Sequence, residues 1–363
     1  MAPPSELMSR AIALAARARH STSPNPMVGV VLARGEEVVG EGFHRRAGGP
    51  HAEVVALRAA GDRARGATAY VTLEPCAHHG RTGPCADALV AAGVSRVVVA
   101  HEDPYPAVRG RGIRRLREAG LQVELGDGVA QARSLNVAWL RAAEAARPFV
   151  ALKYAATLDG KTASTSGDSR WITGEGAREM THRLRAAYDA VAVGAGTAIT
   201  DDPQLNARPP ARRRRQPLRV VVDGRLRSAP GARIHDRAVA GGSVVLASTR
   251  ASARRLALFA RHGVDVEVLE SAQPGGADLL RALSARGVSS LLVEGGGDLA
   301  WTFVTAGLVD RVYAFFGPML LGGKGSASPV SGSGFGRLAE ALHLEVVNVR
   351  RLGPDVLVEA VAA

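Results

Sequence analysis

Cysteine is scarce in this chain of 363 residues, which contains only Cys76 and Cys85. A secreted domain of this size would not depend on one bridge across so short a loop, so metal binding or catalysis is favoured over a disulfide scaffold. Long apolar runs are also missing. No segment approaches the roughly 20 residues that cross a bilayer, and the stretch Ala11–Ala16 is too short for a signal peptide. We therefore expect a cytoplasmic protein without a membrane partner.

Lysine and aromatic residues are few as well. Only three of the 46 basic residues are lysines, and Phe, Trp and Tyr together make up 4% of the chain. The formal net charge of +12 therefore reflects an arginine-rich composition and is weak evidence for a nucleic-acid partner. The one dense cluster, Arg212–Arg215, follows two prolines. A solvated loop is favoured there, and an RNA contact stays open.

Hydrophobic periodicity predicts two α/β domains with a boundary between residues 146 and 147. Over residues 1–146, helices alternate with short strands, and Glu37–Phe43 pairs back as a hairpin, which is typical of a three-layer α/β domain. Residues 147–363 predict a mostly parallel sheet that is closed by an antiparallel pair, Leu344–Arg350 and Val356–Val361. The same patterns predict one helix over Val129–Ala145, a glycine-rich turn over Gly194–Pro203 and a flexible loop over Gly322–Gly336.

The first candidate site combines one histidine with the two cysteines. His51-Ala-Glu53 begins a predicted helix, and Cys76 and Cys85 each follow a proline. An imidazole and two thiolates, each expected near a helix start, are three ligands of a tetrahedral Zn²⁺ site with a fourth position open for water. Zinc lowers the pKa of bound water to about 7. Glu53 is not a ligand, and it would carry a proton from this water to departing ammonia.

This pattern is a known signature of zinc deaminases, from which the chain departs by having eight residues between its cysteines rather than two. Two alternatives stay open. In one, His78 or His79 replaces a ligand or closes the site, which would give a zinc-stabilised binding protein. In the other, the chain is a nucleic-acid base deaminase whose basic second half binds RNA.

The segment Leu73–Cys85 closely resembles the deaminase half of the bifunctional riboflavin-biosynthesis deaminase/reductase family. Pro24–Gly29, Gly42–His44 and Pro50–Glu53 are similar to motifs of that family in the same order, and the resemblance covers essentially the whole chain. It implies a cytidine-deaminase-like, zinc-dependent pyrimidine deaminase domain at 1–146. A dihydrofolate-reductase-like, NADPH-dependent reductase domain would follow at 147–363.

The resemblance also implies a substrate and its contacts. The substrate would be a small phosphorylated pyrimidine, first deaminated at its 2-amino group and then reduced at its ribosyl group, in an enzyme that forms homo-oligomers. Asn25, His44 and Arg81 would line the pyrimidine and ribose phosphate site beside the zinc. Tyr105 stands where the family typically has asparagine, which puts any polar contact of that asparagine in doubt.

In the second half, glycine-rich turns follow predicted strands, and backbone amides after Glu294 would cradle a phosphate. No G-x-G-x-x-G fingerprint occurs in the required strand context, so an ordinary Rossmann domain is not supported. Lys153 and Glu294 are charged and are expected at strand ends, which predicts that they position protons near the sugar. By resemblance, NADPH would contact Ala155, Trp171, Thr197, Asp201, Gly296, Gly297, Asp298 and Leu299. The substrate would be held by Ser169, Arg185, Leu205, Arg208 and Glu294, with the arginines pairing its phosphate.

Overall fold

The computed structural model describes residues 3–18, 21–78, 83–105, 108–208 and 216–363. The chain divides into two compact units, Met1–Ala146 and Arg147–Ala363. Within the described ranges, no helix is long and apolar enough to span a bilayer.

The first unit is a three-layer α/β domain. Its five-stranded sheet has the order β2-β1-β3-β4-β5, in which β1 is antiparallel to both of its neighbours and the remaining pairs are parallel. The strands are β1 (Gly29–Arg34), β2 (Glu37–Phe43), β3 (Thr68–Val71), β4 (Arg96–Val99) and β5 (Gln122–Leu125). The helices are α1 (Glu6–Ala16), α2 (Ala52–Ala60), α3 (Cys85–Ala91), α4 (Arg111–Glu118), α5 (Val129–Leu135) and α6 (Val137–Ala145).

Alternation along the strands separates two cores. Val30 and Leu32 of β1 pack on the side of α2, α3 and α4, whereas Val31 packs on the side of α1 and α5, as the two-residue period of a strand requires. Helix α2 lies directly on β2 because Gly42 has no side chain. A Cβ there would lie 2.6 Å from the nitrogen of Ala56 and 2.7 Å from the carbonyl of Ala52. This close approach fixes the start of α2, where His51 and Glu53 lie.

The second unit is a nine-stranded sheet of order β10-β9-β8-β7-β11-β6-β12-β14-β13. All neighbours from β10 to β12 are parallel, and the C-terminal pair β14 and β13 is antiparallel, as predicted. The strands are β6 (Phe149–Thr157), β7 (Ala190–Gly194), β8 (Leu218–Val222), β9 (Ser243–Ala247), β10 (Asp265–Val268), β11 (Ser290–Gly295), β12 (Arg311–Gly317), β13 (Leu344–Leu352) and β14 (Asp355–Ala362). The helices are α7 (Glu175–Ala187), α8 (Ala195–Asp201), α9 (Ala253–Arg261), α10 (Gly276–Ala285) and α11 (Gly297–Thr305).

The face of each strand decides which side chains of this unit point away from the core that contains α10 and α11. Val150 and Leu152 of β6 and Leu291 and Val293 of β11 pack into the core formed with α10 and α11. Their alternate neighbours therefore point to the opposite face of the sheet, and these are Ala151, Lys153, Ala155, Leu292 and Glu294.

Three secondary-structure predictions need correction. The single helix over Val129–Ala145 is wrong, because Asn136 interrupts it and uses its side-chain amide on the backbone of Met27. The turn over Gly194–Pro203 is largely helix α8, whose Ala195 and Ala198 share a buried face. The Gly322–Gly336 loop has no helix or strand, yet it is fixed on α11. The Ser331 amide donates to the Gly297 carbonyl at 3.1 Å, and the rings of Trp301 and Phe335 lie 5.0 Å apart.

Candidate functional site

The structure brings together the three predicted metal ligands. His51 immediately precedes α2, Cys85 is the first residue of α3, and Cys76 lies in the loop after β3. Their ligand atoms all lie within 4.8 Å of one another, with His51 Nδ1 3.2 Å from Cys85 Sγ and 3.7 Å from Cys76 Sγ. Tetrahedral bonds of zinc to nitrogen and sulfur separate those atoms by about 3.5 Å. The donor set therefore fits a zinc ion.

One expectation about these ligands is wrong, since Cys76 does not lie at a helix start in the chain. Its sulfur nevertheless accepts from the Cys85 amide, the first amide of α3, at 3.4 Å. Hydrogen bonds from the Cys85 thiol and from His51 lower the pKa of Cys76 and favour its thiolate. The hydrogen bond between the two sulfur atoms raises the pKa of Cys85. In a zinc site both sulfurs would bind as thiolates, and the cation between them would offset their repulsion.

The carboxyl group of Glu53 is placed for proton transfer beside the ligands. The residue is only 4% exposed, and burial raises the pKa of its carboxyl group to about 7. A carboxylic acid with this pKa both accepts and releases a proton near neutral pH, as the sequence argument requires. His78, the candidate fourth ligand, is exposed and lies outside the cluster of His51, Cys76 and Cys85. His79 lies outside the described residues.

Asn25 and His44 lie together next to His51. The carbonyl of Pro50 accepts from His44 Nδ1 at 2.9 Å, so Nε2 is left to accept from the amide of Asn25 at 3.1 Å. The His44 and His51 rings meet edge to face, 5.5 Å apart. Burial lowers the pKa of His44, which keeps it neutral.

Two further predicted features have different outcomes. Tyr105, which replaces the family's asparagine, is 54% exposed, and its amide donates to the Asp103 carboxylate at 2.8 Å. Arg81, the predicted phosphate contact, lies outside the described residues.

Sequence reasoning missed two positioning residues in the first unit. Asn136 accepts from the Met27 amide and donates to its carbonyl, both at 2.8 Å, and so holds the segment that carries Asn25. Glu74 is buried directly before Pro75-Cys76. Its carboxylate accepts hydrogen bonds of 2.8–3.2 Å from four backbone amides, those of Asp103, Gly110, Gly112 and Ile113. Two features of the sequence could have indicated these residues. Asn136 is an asparagine inside a predicted apolar helix, and Glu74 is an acidic residue soon after an apolar strand.

Lys153, Arg185 and Glu294 meet on the face of the second sheet that is opposite α10 and α11. Lys153 lies inside β6, so the prediction that it lies at a strand end is wrong. In the register of β6 with β11, Lys153 lies level with Glu294, which is near the end of β11. Burial lowers the pKa of Lys153. Burial alone would raise the pKa of Glu294, but Arg185 and then Lys153 outweigh it, and the pKa lies below its usual value.

Arg185, which is predicted to pair the substrate phosphate, is engaged by other groups of the protein. Its Nε and Nη2 donate to the two carboxylate oxygens of Glu294, at 2.7 and 2.8 Å, and Nη1 donates to the carbonyl of Asn206 at 3.2 Å. Three of the five N–H groups of the guanidinium are therefore used within the protein. Arg208, by contrast, has an exposed side chain.

The predicted NADPH residues surround two glycine turns on neighbouring parallel strands, β7 and β11. Gly296 has a φ of +89°, and a Cβ on it would lie 3.6 Å from Gly194, so the two turns approach closely. Thr197 lies against the same turn, and α11 begins there. Close backbone approach at a helix start suits the phosphates of a dinucleotide.

The other predicted reductase residues differ in their exposure and contacts. Trp171 is 67% exposed with the Arg178 guanidinium 4.7 Å from its ring centre, and the Asp201 carbonyl accepts from Arg170 at 2.8 Å. Ala155 follows Lys153 on the same face of β6. The remaining residues comprise half-buried Ser169 and Gly297, exposed Asp298, and buried Leu205 and Leu299.

Comparison with known proteins gives different matches for the two halves. Residues 1–101 match the cytidine and deoxycytidylate deaminase zinc-binding region, and residues 148–358 match the RibD C-terminal domain. The fold and these matches define a cytidine-deaminase-like domain joined to a dihydrofolate-reductase-like reductase domain in one chain. They argue against the alternative in which the second half binds RNA.

Full-length relatives make the assignment specific. The riboflavin biosynthesis protein RibD of Escherichia coli is 41% identical over 373 residues, which cover 98% of each chain. The solved structure of Acinetobacter baumannii RibD has a TM-score of 0.89 at 40% identity, and a Thermotoga maritima deaminase/reductase has 0.85 at 35%, each covering 98% of both chains. The chain belongs to the RibD family and is a bifunctional deaminase and reductase of riboflavin biosynthesis.

Proposed function

We propose that the first unit uses zinc to deaminate 2,5-diamino-6-(5-phosphoribosylamino)pyrimidin-4-one. The second unit then uses NADPH to reduce the ribosyl group of the product to ribityl, which gives 5-amino-6-(5-phosphoribitylamino)uracil. The observation that carries the proposal is the cluster of His51, Cys76 and Cys85 with the buried acid Glu53 beside it. The Thermotoga maritima relative, which is described as a diaminohydroxyphosphoribosylaminopyrimidine deaminase and 5-amino-6-(5-phosphoribosylamino)uracil reductase, supports this substrate.

In the first reaction, His51, Cys76 and Cys85 would hold the metal, which supplies an activated water when bound. Asn25 and His44 orient the pyrimidine, since a side-chain amide reads a pyrimidinone edge. The water oxygen bonds to C2 of the ring, and the C2–N bond to the amino group breaks. Glu53 takes one proton from the water and delivers it to the leaving nitrogen, which departs as ammonia.

In the second reaction, Gly296, Gly297 and Thr197 would hold NADPH, which supplies a hydride to the sugar C1′ when bound. Lys153 holds the proton that the sugar needs as its ring C–O bond opens. Burial lowers the pKa of this lysine, so that it gives up a proton more readily than an exposed lysine does. Glu294 keeps the ammonium form populated, and Arg185 fixes the orientation of Glu294.

Two activity measurements on the full chain test the proposal. Incubation with the diaminopyrimidinone phosphate is expected to release ammonia and then consume NADPH. Glu53→Ala should abolish ammonia release and Lys153→Ala should abolish NADPH consumption, whereas the exposed controls Glu118→Ala and Lys324→Ala should keep both activities. Retention of both activities in the Glu53 and Lys153 variants would refute the residue assignment.

We also propose that the enzyme works in the cytoplasm as a homo-oligomer. The edge strand β13 supports self-association, because four of its aliphatic side chains are 40–59% exposed: Leu344, Val346, Val347 and Val349. Light scattering of the purified protein gives the oligomeric mass directly, and a monomer at micromolar concentration would contradict this part of the proposal.

A further inference from the structure

The backbone around Arg208 is held in one conformation by side chains from other segments. Leu205 is 3% exposed and adopts a φ of +48°, a left-handed conformation that is unfavourable for a leucine. Such a conformation persists only where surrounding contacts impose it. The peptides of residues 206–208, which follow Leu205, are contacted by the side chains of Gln216 and His182.

Gln216 binds both polar groups of one residue in this segment. Its Oε1 accepts from the Ala207 amide at 2.8 Å, and its Nε2 donates to the Ala207 carbonyl at 2.7 Å. Ala207 is only 5% exposed, so this side chain provides the hydrogen bonds that a neighbouring strand would otherwise supply.

His182 of α7 contacts the peptides on either side of Ala207. Its Nδ1 lies 3.0 Å from the carbonyl of Asn206 and 3.3 Å from the amide of Arg208. Arg185, one helical turn further along α7, donates to the same Asn206 carbonyl at 3.2 Å and pairs with Glu294. The segment is therefore joined through Arg185 to the proposed proton-transfer residues.

We infer that Gln216 and His182 are positioning residues of the reductase, which fix the 206–208 backbone so that the exposed guanidinium of Arg208 meets the substrate phosphate. The inference rests on the proposed reductase function. A preorganised backbone lets Arg208 bind without first paying the entropy of ordering a loop. A loosened segment should weaken binding of the phosphorylated substrate. It should leave the Arg185–Glu294 ion pair in place, because that pair uses Nε and Nη2 of Arg185 and no group of residues 206–208.

The experiment compares Gln216→Ala with Gln273→Ala, an exposed glutamine in the same unit. We expect Gln216→Ala to raise the KM for 5-amino-6-(5-phosphoribosylamino)uracil about tenfold, with kcat and the KM for NADPH within about twofold of wild type. A dephosphorylated substrate, which cannot use Arg208, should show no difference between the two variants. His182→Ala should act in the same direction, and it carries the test if Gln216→Ala does not fold.

A double variant separates positioning from a general structural role. If Gln216 acts through Arg208, Gln216→Ala should change the KM less than about twofold in an Arg208→Ala background. Equal effects on phosphorylated and dephosphorylated substrates, or additive effects in the double variant, would overturn the inference. A wild-type protein that does not oxidise NADPH with this substrate would overturn the proposed function itself. A working wild type with an unchanged Gln216→Ala would overturn this inference alone.

Discussion

The Arg185 guanidinium and the Glu294 carboxylate form a two-pronged ion pair whose side chains are 15% and 4% exposed. Lysine at position 185 would keep the charge but lose the planar fork. We expect Arg185→Lys to lower the free energy of unfolding by about 2 kcal/mol, through the loss of one charged hydrogen bond, and to reduce the reductase kcat. Thermal unfolding and NADPH oxidation measure the two effects.

The same helix provides the control for this substitution. Arg183 pairs with Glu179 at 2.7 Å, but both side chains are about half exposed, at 52% and 46%. Arg183→Lys should therefore change stability by less than about 0.5 kcal/mol. Equal losses in the two variants would show that the buried pair has no special role.

Removal of the metal should affect one activity and spare the other. We expect metal analysis to find one zinc per chain and Cys76→Ser to lose most of it, because the hydroxyl of serine is a poor zinc ligand. Ammonia release should stop, while NADPH oxidation with the deaminated substrate continues. Substitution by cobalt should give a spectrum that changes when substrate is added, because the proposed site has an open fourth coordination position. A spectrum insensitive to substrate would instead indicate a closed site.

Asn136 should control binding of the pyrimidine without touching it. Asn136→Ala removes both hydrogen bonds to Met27 and leaves a partly buried amide and carbonyl without this partner, at a cost of about 1 kcal/mol for each. Because Asn25 lies only two residues from Met27, we expect a higher KM for deamination. The exposed neighbour in α5, Gln131→Ala, is the matched control. An unchanged KM in Asn136→Ala would contradict the positioning role.

Stability should fall as the pH drops below neutrality, because His235 is buried. Burial, and next Arg219, lower the pKa of this histidine from 6.5 to about 4. Between pH 6.5 and about 4 the unfolded chain binds a proton at this histidine and the folded chain does not. The contribution of neutral His235 to the free energy of unfolding is therefore complete above pH 6.5 and is lost as the pH falls toward 4. The loss should reach about 3 kcal/mol at most. His235→Gln should reduce the dependence of the free energy of unfolding on pH, measured by thermal unfolding at a series of pH values. The exposed control His262→Gln should leave that dependence unchanged.

The metal site could be predicted because its signal is local and rare. The only two cysteines follow prolines, and a histidine and a glutamate stand two residues apart at a helix start. The contact of Arg185 with Glu294 could not be predicted, since 109 residues separate them and only the strand order β7-β11-β6 brings their segments together. Periodicity predicts that a strand exists and which face is buried, but it does not predict the neighbours of that strand.

Two of the errors in the prediction have a common cause. The side chain of Asn136 hydrogen-bonds the backbone of Met27 at the point where the helix is interrupted. The Cys76 sulfur, which lies in a loop, accepts from the first amide of α3. In each case a side chain binds backbone that is distant in sequence, and tertiary contacts of this kind override local patterns.

The central position of β6 has a consequence for hydrogen exchange. This strand is hydrogen-bonded to parallel neighbours on both sides, β11 and β12, over the region that contains Lys153. Its amide protons should exchange with deuterium only when the whole unit opens, whereas the amides at 205–208, held largely by side chains, should exchange through local opening. A labelling time course would then find the amide of Lys153, the proposed proton-transfer residue, among the slowest to exchange. The amide of Arg208, the proposed phosphate contact, would be among the faster ones.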